Sequence, residues 1–270
     1  MEQVKPKVVM IGAGNLATNL AVALQSCGFD VVEVYSRSGV SAKELAARLE
    51  CRVVDRLSDI RLQKDLYVIA VPDNAIEEVI AAMPLVSGVV VHTSGSTPMD
   101  VFSQKFSSYG VLYPFQTFSR LREVDFSSIP ICIEASSSSS LLKLEAIAKS
   151  LSASVLTMDS DTRKWLHLVG VFASNFANHS LALANEVAQH HGISFAALKP
   201  LVAETIQKAL DSQNPAAVQT GPAVRHDAKT INRHLEMLAS EPDFFSHIYK
   251  LLTSSIQQLD EARKNKNQQK

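Results

Sequence analysis

The chain has little charge imbalance to offer a partner. Lys and Arg total 26 against 27 Asp and Glu among 270 residues, so no overall field recruits nucleic acid or an anionic membrane surface. Any anion site must be local. Cysteine is scarce: Cys27, Cys51 and Cys132 are odd in number, far apart and in no Cys-x-x-Cys pair, the usage of reduced core thiols in a cytoplasmic protein. Metal-ligand spacings are missing too, since His190 and His191 are adjacent and would point to different faces of a helix. There is no Gly-x-Ser-x-Gly elbow for nucleophilic catalysis and no internal repeat. Met1 to Lys7 is charged and runs straight into an apolar stretch, so no secretory signal is expected. The stretch Trp165 to Asn185 lacks charge, but His167, Ser174, Asn175, Asn178, His179, Ser180 and Asn185 make it too polar for a lipid-exposed span. It reads as a buried helix.

What is there is an alternation of apolar runs and helical patterns in a composition 46% hydrophobic and 20% charged, that of a globular protein. Val8 to Ile11 ends in a glycine turn, and Leu16, Leu20, Ala23 and Leu24 then share one helical face up to Ser26. Gly28 closes that helix, and Val31 to Tyr35 is the next β-rich run. Ser41 to Leu49 predicts a helix and Arg52 to Val54 a short strand. Leu66 to Val71 is a buried strand stopped by Pro72, and Asn74 to Met83 a helix. Val89 to His92, Gly110 to Tyr113 and Pro130 to Glu134 are further strands. Leu141 to Leu151 is a helix whose N-cap comes from the Ser136 to Ser140 run. The fold class is therefore α/β, a doubly wound, mostly parallel sheet followed by an all-α domain.

After Val155-Leu156-Thr157 no β-rich run remains, which divides the chain into 1–158 and 159–270. Helices are expected over Thr162 to His191, Ser194 to Gln213, Asp227 to Ser240 and Pro242 to Lys264, with a frayed tail after Arg263. On the first of these, Trp165, Val169, Phe172, Phe176 and Leu183 form an apolar stripe. His167, Ser174, Asn178 and Asn185 form an uncharged polar stripe on the opposite side.

The turn Gly12-Ala13-Gly14-Asn15-Leu16-Ala17 joins the first strand to the first helix. Gly12 permits the tight turn, Gly14 lets the backbone approach a pyrophosphate, and the small Ala17 lets the helix pack close to the sheet. The helix N-terminus then offers free N–H groups to an anion. The alternative is a glycine turn that binds no nucleotide. An NAD site would carry an acid at the tip of the second strand, but that tip reads Ser36-Arg37-Ser38, with Glu33 two residues inside the strand. Arg37 can fork onto a 2′-phosphate, Ser36 and Ser38 can add hydrogen bonds, and NADP(H) is the expected cofactor. Otherwise Arg37 is a solvated loop residue.

Val71-Pro72-Asp73 follows a buried strand at its carboxyl end, where open α/β sheets bind ligands; Asp73 borders the cofactor or caps the helix after it. His92-Thr93-Ser94-Gly95-Ser96 ends the next strand on the same edge, near where a nicotinamide would lie. Ser94 is a cofactor contact in this reading. His92 is either an acid or base, or a packed and hydrogen-bonded histidine.

These motifs, with Tyr113-Pro114-Phe115-Gln116-Thr117-Phe118 and Thr220-Gly221-Pro222-Ala223-Val224-Arg225-His226-Asp227, resemble a group of NADP oxidoreductases that pair a Rossmann-like domain with a helical C-terminal domain of unassigned function. The resemblance runs from Lys7 to about Leu259. More distantly the layout is similar to pyrroline-5-carboxylate reductase, ketopantoate reductase, the 6-phosphogluconate and β-hydroxyacid dehydrogenases and the deazaflavin-linked NADP reductases. The resemblance implies a cofactor on the first domain, a small-molecule substrate between it and the long helix, and a homodimer through the helical domain. It also implies glycine where His226 stands. The dehydrogenase relatives use a lysine with an asparagine on the long helix. This chain has Asn175 and Asn178 there but no lysine from Trp165 to Asn185.

Read from the residues, His167, Ser174, Asn178 and Asn175 either face the nicotinamide or form a satisfied polar seam. Arg225 either holds a substrate carboxylate or fixes its loop through a salt bridge, and Asp227 is an N-cap. The expected function is NADP(H)-dependent hydride transfer to or from a small carbonyl, hydroxy-acid or imine. Arg225 would anchor the substrate, Asn175 would orient it, and His92, His167 or water would be the proton partner. The alternative is a non-catalytic NADP-binding or redox-sensing dimer, which the missing lysine favours.

Overall fold

The computed structural model describes residues 5–120, 122 and 124–268, without the side chains of 267 and 268. The chain divides into two compact units, 1–175 and 176–270.

The first unit is built on eight strands. In chain order they and their helices are β1 (Lys7–Ile11), α1 (Asn15–Ser26), β2 (Asp30–Tyr35), α2 (Gly39–Leu49), β3 (Arg52–Val54), β4 (Leu66–Ile69), α3 (Ile76–Ala82), β5 (Val89–His92), β6 (Tyr109–Pro114), β7 (Ile131–Ala135), α4 (Ser138–Leu151), β8 (Val155–Thr157) and α5 (Ser160–Gly170). The sheet order is β3-β2-β1-β4-β5-β6-β7-β8. Strands β1, β4 and β5 are apolar runs buried on both faces, as a parallel strand with helices or loops on each side must be. One face of the sheet packs on α1, α2 and α4 through Leu20, Leu24, Leu45 and Leu144. The other packs on Ile76, Ile80, Phe102 and Phe106.

The sheet departs from the parallel expectation at one seam: β7 pairs antiparallel with β6, and β8 runs parallel to β7. Among the described residues no α-helix lies between β6 and β7. A parallel return needs a crossover, usually helical, whereas an antiparallel one needs only a loop. Because β3 is followed by a jump to the far side of β1, the chain switches direction between β1 and β4, the position at which open α/β sheets leave a ligand crevice.

A buried ion pair closes the far side of this edge. Arg163 of α5 is wholly buried, and its guanidinium meets Glu134 of β7 and donates to the Thr97 carbonyl (2.6 Å) and to Ser160 Oγ (3.2 Å). Glu134 accepts in turn from the Ser160 backbone N–H (3.0 Å) and hydroxyl (2.8 Å). Arg163 Nε is buried with no hydrogen-bond partner.

The helical run expected as one element is three: α5, a π-helical stretch Val171–Phe176, and α6 (Ala177–His190). The apolar stripe expected to be buried is not. Trp165 is 69% exposed, and Val169, Phe172 and Phe176 are also exposed. The reason lies on the opposite side of α5, where Leu166 joins the cluster of Val111, Tyr113 and Cys132, and Gly170 lets the helix settle on Phe115; a Cβ at Gly170 would lie 2.6 Å from that ring. Burying that side leaves the apolar one outward.

The second unit adds α7 (Lys199–Leu210), α8 (Ala228–Met237) and α9 (Asp243–Gln268) to α6. Helix α9 continues to Gln268, into the Lys- and Gln-rich tail expected to fray. Asp227 caps α8 by accepting from the Thr230 N–H (3.1 Å). His226 holds a left-handed φ of +52°, a conformation glycine adopts at lower cost. His190 and His191 were expected to diverge, yet both rings reach Glu241 (2.7 and 3.2 Å), because His191 lies past the end of α6. Of the cysteines only Cys132 is buried; Cys51 is half-buried and Cys27 exposed. Among the described residues no His/Cys/Asp/Glu group has metal-holding geometry, and no helix is long and apolar enough to cross a membrane.

Glu134→Ala leaves the Arg163 charge buried and unanswered, and an urea titration should show a loss of about 3–5 kcal/mol. Removing both charges together in Glu134→Leu/Arg163→Met should cost clearly less.

Candidate functional site

At the switch point a cavity of about 370 Å³ opens above the β1–α1 turn. It brings together Gly12, Ala13, Gly14, Ser36, Arg37, Ser38, Val71 and Pro72 of the residues singled out by sequence, and adds Arg120. Gly12 has φ +118°, and a Cβ there would lie 2.2 Å from the Ala70 carbonyl oxygen, so both its backbone angle and its contact with the end of β4 exclude a side chain. Above Gly14 there is open space. Helix α1 starts directly after it without a side-chain cap, so the N–H groups of its first turn, Asn15, Leu16 and Ala17, have no capping side chain, although these three residues do not themselves line the cavity. Ala17 is wholly buried and lets α1 lie close to the sheet. These features fit a pyrophosphate.

Two cations border the cavity. Arg37 is exposed at the tip of β2, between the half-buried Ser36 and the exposed Ser38; Ser38 Oγ also accepts from the Ser41 N–H (3.5 Å) as the N-cap of α2. Arg120 comes from the loop after β6. It donates to the Ala13 carbonyl and lies 3.5 Å from Glu44 of α2. Asn19 of α1 holds the same loop by donating to the Ser119 carbonyl (3.1 Å). Arg120 was not read from the sequence, because about 100 residues separate it from the turn and no local pattern marks it. Glu33 is wholly buried and held by Arg52 (2.7 Å), Arg61 Nε (3.2 Å) and the Arg61 N–H (2.9 Å). It is not free to receive a ribose hydroxyl.

Asp73 and Ser94 lie outside this cavity lining but are joined through Ser96, whose hydroxyl donates to Asp73 while Ser94 Oγ accepts from the Ser96 and Thr97 N–H groups (3.1 and 2.9 Å). Asp73 thus ties the end of β4 to the turn after β5 rather than capping α3, which has no side-chain cap. His92 is wholly buried, stacked on Phe102, with Nδ1 accepting from the Ser94 N–H (3.2 Å) and Nε2 3.4 Å from the Pro98 carbonyl. Burial first, then the Arg163 charge, pushes its pKa down to about 4. Both ring nitrogens are occupied and the ring stays neutral at neutral pH.

His167, of α5, is half-buried, and its Nδ1 is 3.1 Å from the Tyr113 hydroxyl at the end of β6. Asn175, in the π-helical stretch, is exposed, as are Asn178 of α6 and Arg225 of the loop before α8.

The fold and turn define a Rossmann-like protein. Residues 1–112 match the family described as Rossmann-like domain, and 129–256 the family described as domain of unknown function DUF2520. The crystal structure of the putative NADP oxidoreductase BF3122 from Bacteroides fragilis is 43% identical, with 94% of this chain and 98% of that chain covered and a TM-score of 0.87. The chain belongs to the same family, a Rossmann-like domain followed by a DUF2520 domain. Protein TM1727 of Thermotoga maritima (20% identical, 95% and 99% covered, TM-score 0.69) and the 1-pyrroline-5-carboxylate reductase of Streptococcus pyogenes (12%, 94% and 99%, 0.61) share the fold. No curated protein matches the chain.

Because His92 is neutral in the fold at pH values where the unfolded chain protonates it, its contribution is complete above about pH 6.5 and is lost as pH falls toward 4. The difference amounts to about 3 kcal/mol. Urea midpoints measured across that window should fall, and His92→Gln should flatten the slope.

Proposed function

We propose that the chain is an NADP(H)-dependent oxidoreductase that transfers hydride to or from a small carbonyl, hydroxy-acid or imine substrate. The observation that carries this reading is the cavity over Gly12-Ala13-Gly14, bordered by two guanidiniums while Glu33, the acid of β2, is taken by Arg52 and Arg61. The α1 N–H groups and the open space above Gly14 receive the pyrophosphate. Arg37, with Ser36 and Ser38, takes the 2′-phosphate as a charge-assisted pair. Arg120 exchanges its weak contact with Glu44 for a cofactor phosphate. When bound, the nicotinamide supplies or accepts the hydride, and the protein positions the partners and stabilises charge. The description of the Bacteroides fragilis relative as an NADP oxidoreductase points the same way.

On the substrate side the exposed Arg225 is the carboxylate anchor and Asn175 the orienting amide. A π-helical stretch such as the one that carries Asn175 is frequent at functional sites. A homodimer through residues 176–270 completes the reading, supported by the exposed Leu201, Leu210, Met237 and Leu251. The lack of a lysine from Trp165 to Asn185 favours a second reading, an NADP-binding dimer without turnover.

Titration with NADPH and NADH tests the cofactor. Arg37→Ala should weaken NADPH by about 10- to 100-fold, the range of a charged hydrogen bond, and leave NADH unchanged. Arg120→Ala should weaken both. Preference for NADH, or an Arg37→Ala variant with wild-type NADPH affinity, would sink the choice of NADP. A screen of small oxo acids, aldehydes and cyclic imines, followed by loss of reduced-nicotinamide absorbance, separates enzyme from sensor. Sedimentation equilibrium should return twice the chain mass.

A further inference from the structure

Four elements converge on one phenol. Tyr113 is two residues beyond Val111, which pairs with His92 at the last position of β5, so its ring stands past the strand end on the carboxyl edge of the sheet. Its hydroxyl meets His167 Nδ1 at 3.1 Å, with the two rings edge to face. Gly95, in the turn after β5, packs its backbone against both: a Cβ there would lie 2.6 Å from His167 Nδ1 and 2.8 Å from Tyr113 Cζ. The glycine is needed because the dyad occupies the space a side chain would fill. Cys132 of β7 and Phe115 line the ring's other sides.

The chemistry of the pair is specific. Burial, the nearby Cys132 thiol and the Asp73 carboxylate push the phenol up to about 12, against a smaller opposing effect of the Arg163 charge. Tyr113 is therefore a protonated donor at neutral pH. Cys132 is itself pushed up to about 11 by burial, so it does not compete as a thiolate. Tyr113 is 9% exposed, whereas His167 is half-buried and in reach of solvent protons. His92, the other candidate on this edge, has both ring nitrogens engaged.

We propose that Tyr113 is the acid that protonates the substrate's carbonyl oxygen or imine nitrogen, and that His167 holds and reprotonates it. The inference rests on the NADP(H) oxidoreductase reading. In the reducing direction the substrate carbon gains a C–H bond from the reduced nicotinamide, which is oxidised by two electrons. The C=O or C=N π bond breaks, and its heteroatom takes the Tyr113 proton. The phenolate left behind recovers a proton from His167, and His167 from water. Oxidation runs the same steps backwards. Tyr113 touches the reacting atoms; His167 acts through it as a positioning residue.

A spectroscopic test needs no substrate. The chain has five tyrosines, Tyr35, Tyr67, Tyr109, Tyr113 and Tyr249, and [13Cζ]tyrosine labelling resolves them, with Tyr113→Phe identifying the Tyr113 signal. NADP+ and NADPH share their adenosine end and differ by the positive charge of the oxidised ring. Tyr35, in the cavity lining, should shift on binding but equally with both forms. Tyr113 should be the tyrosine whose signal differs most between them. In turnover of any compound from the oxo-acid, aldehyde and imine panel, Tyr113→Phe should lose about 10²- to 10⁴-fold with NADPH affinity intact. His167→Asn, which keeps a hydrogen-bonding group at the Nδ1 position, should retain the redox-dependent Tyr113 shift yet flatten the pH profile of turnover. NADPH binding without a redox-dependent Tyr113 shift, or wild-type turnover by Tyr113→Phe, overturns the assignment alone. A wild-type chain that binds no NADPH overturns the cofactor reading and this inference with it.

Discussion

Arg163 has no access to water, and its charge is answered by Glu134 from β7, the Thr97 carbonyl from the turn after β5, and Ser160 at the start of its own helix. A charge so placed is tolerated only while those partners stay in position. It therefore fixes three things at once: where α5 begins, how the antiparallel β7 sits against β6, and the path of the turn after β5. One helical turn beyond Arg163 comes His167, on the same face of α5, and the geometry that satisfies the guanidinium carries the imidazole to Tyr113. The ion pair contributes geometry to the edge of the sheet more than it contributes net stability.

That edge has two ends with different chemistry. Around the β1–α1 turn the groups are those that bind anions, namely N–H dipoles, open backbone and two guanidiniums. Beyond β5 and β6 the groups are hydrogen-bonded in pairs: the buried His92 with Ser94, and the buried Tyr113 with the half-buried His167 that reaches in from α5. Asp73 and Ser96 connect the two.

Much of this was legible in the residues. Continuous apolar runs such as Val8 to Ile11 and Val89 to His92 locate strands buried on both faces, and the glycine pattern marks the turn because Gly12 has to take a left-handed angle. Periodicity failed where it reports composition but not coverage. It found the stripe of Trp165, Val169 and Phe172 but could not tell that α5 would instead turn inward the buried Arg163 and the partly buried Leu166 and Gly170, since the small Gly170 decides how closely the helix approaches Phe115. The antiparallel β7 was invisible because strand direction follows from what joins two strands, and a loop without helical pattern permits either. Arg120 and the Tyr113–His167 pair are contacts between segments about 100 and 54 residues apart. No local rule brings such segments together. The glycine implied at position 226 has its physical explanation in the left-handed angle that His226 adopts there.

The engagement of Glu33 has an evolutionary side. In a β2 whose acid stood free at the tip, a change of dinucleotide would require only that a neighbouring cation be lost. Here the carboxylate is enclosed and shared between Arg52 and Arg61, so it also secures β3 and the chain beyond it. Moving it would disturb the fold before it altered ligand choice. Under the proposed NADP(H) reading, a lineage drifting towards the unphosphorylated dinucleotide would have to acquire a new carboxylate at Ser36 or Ser38 and lose Arg37 as well.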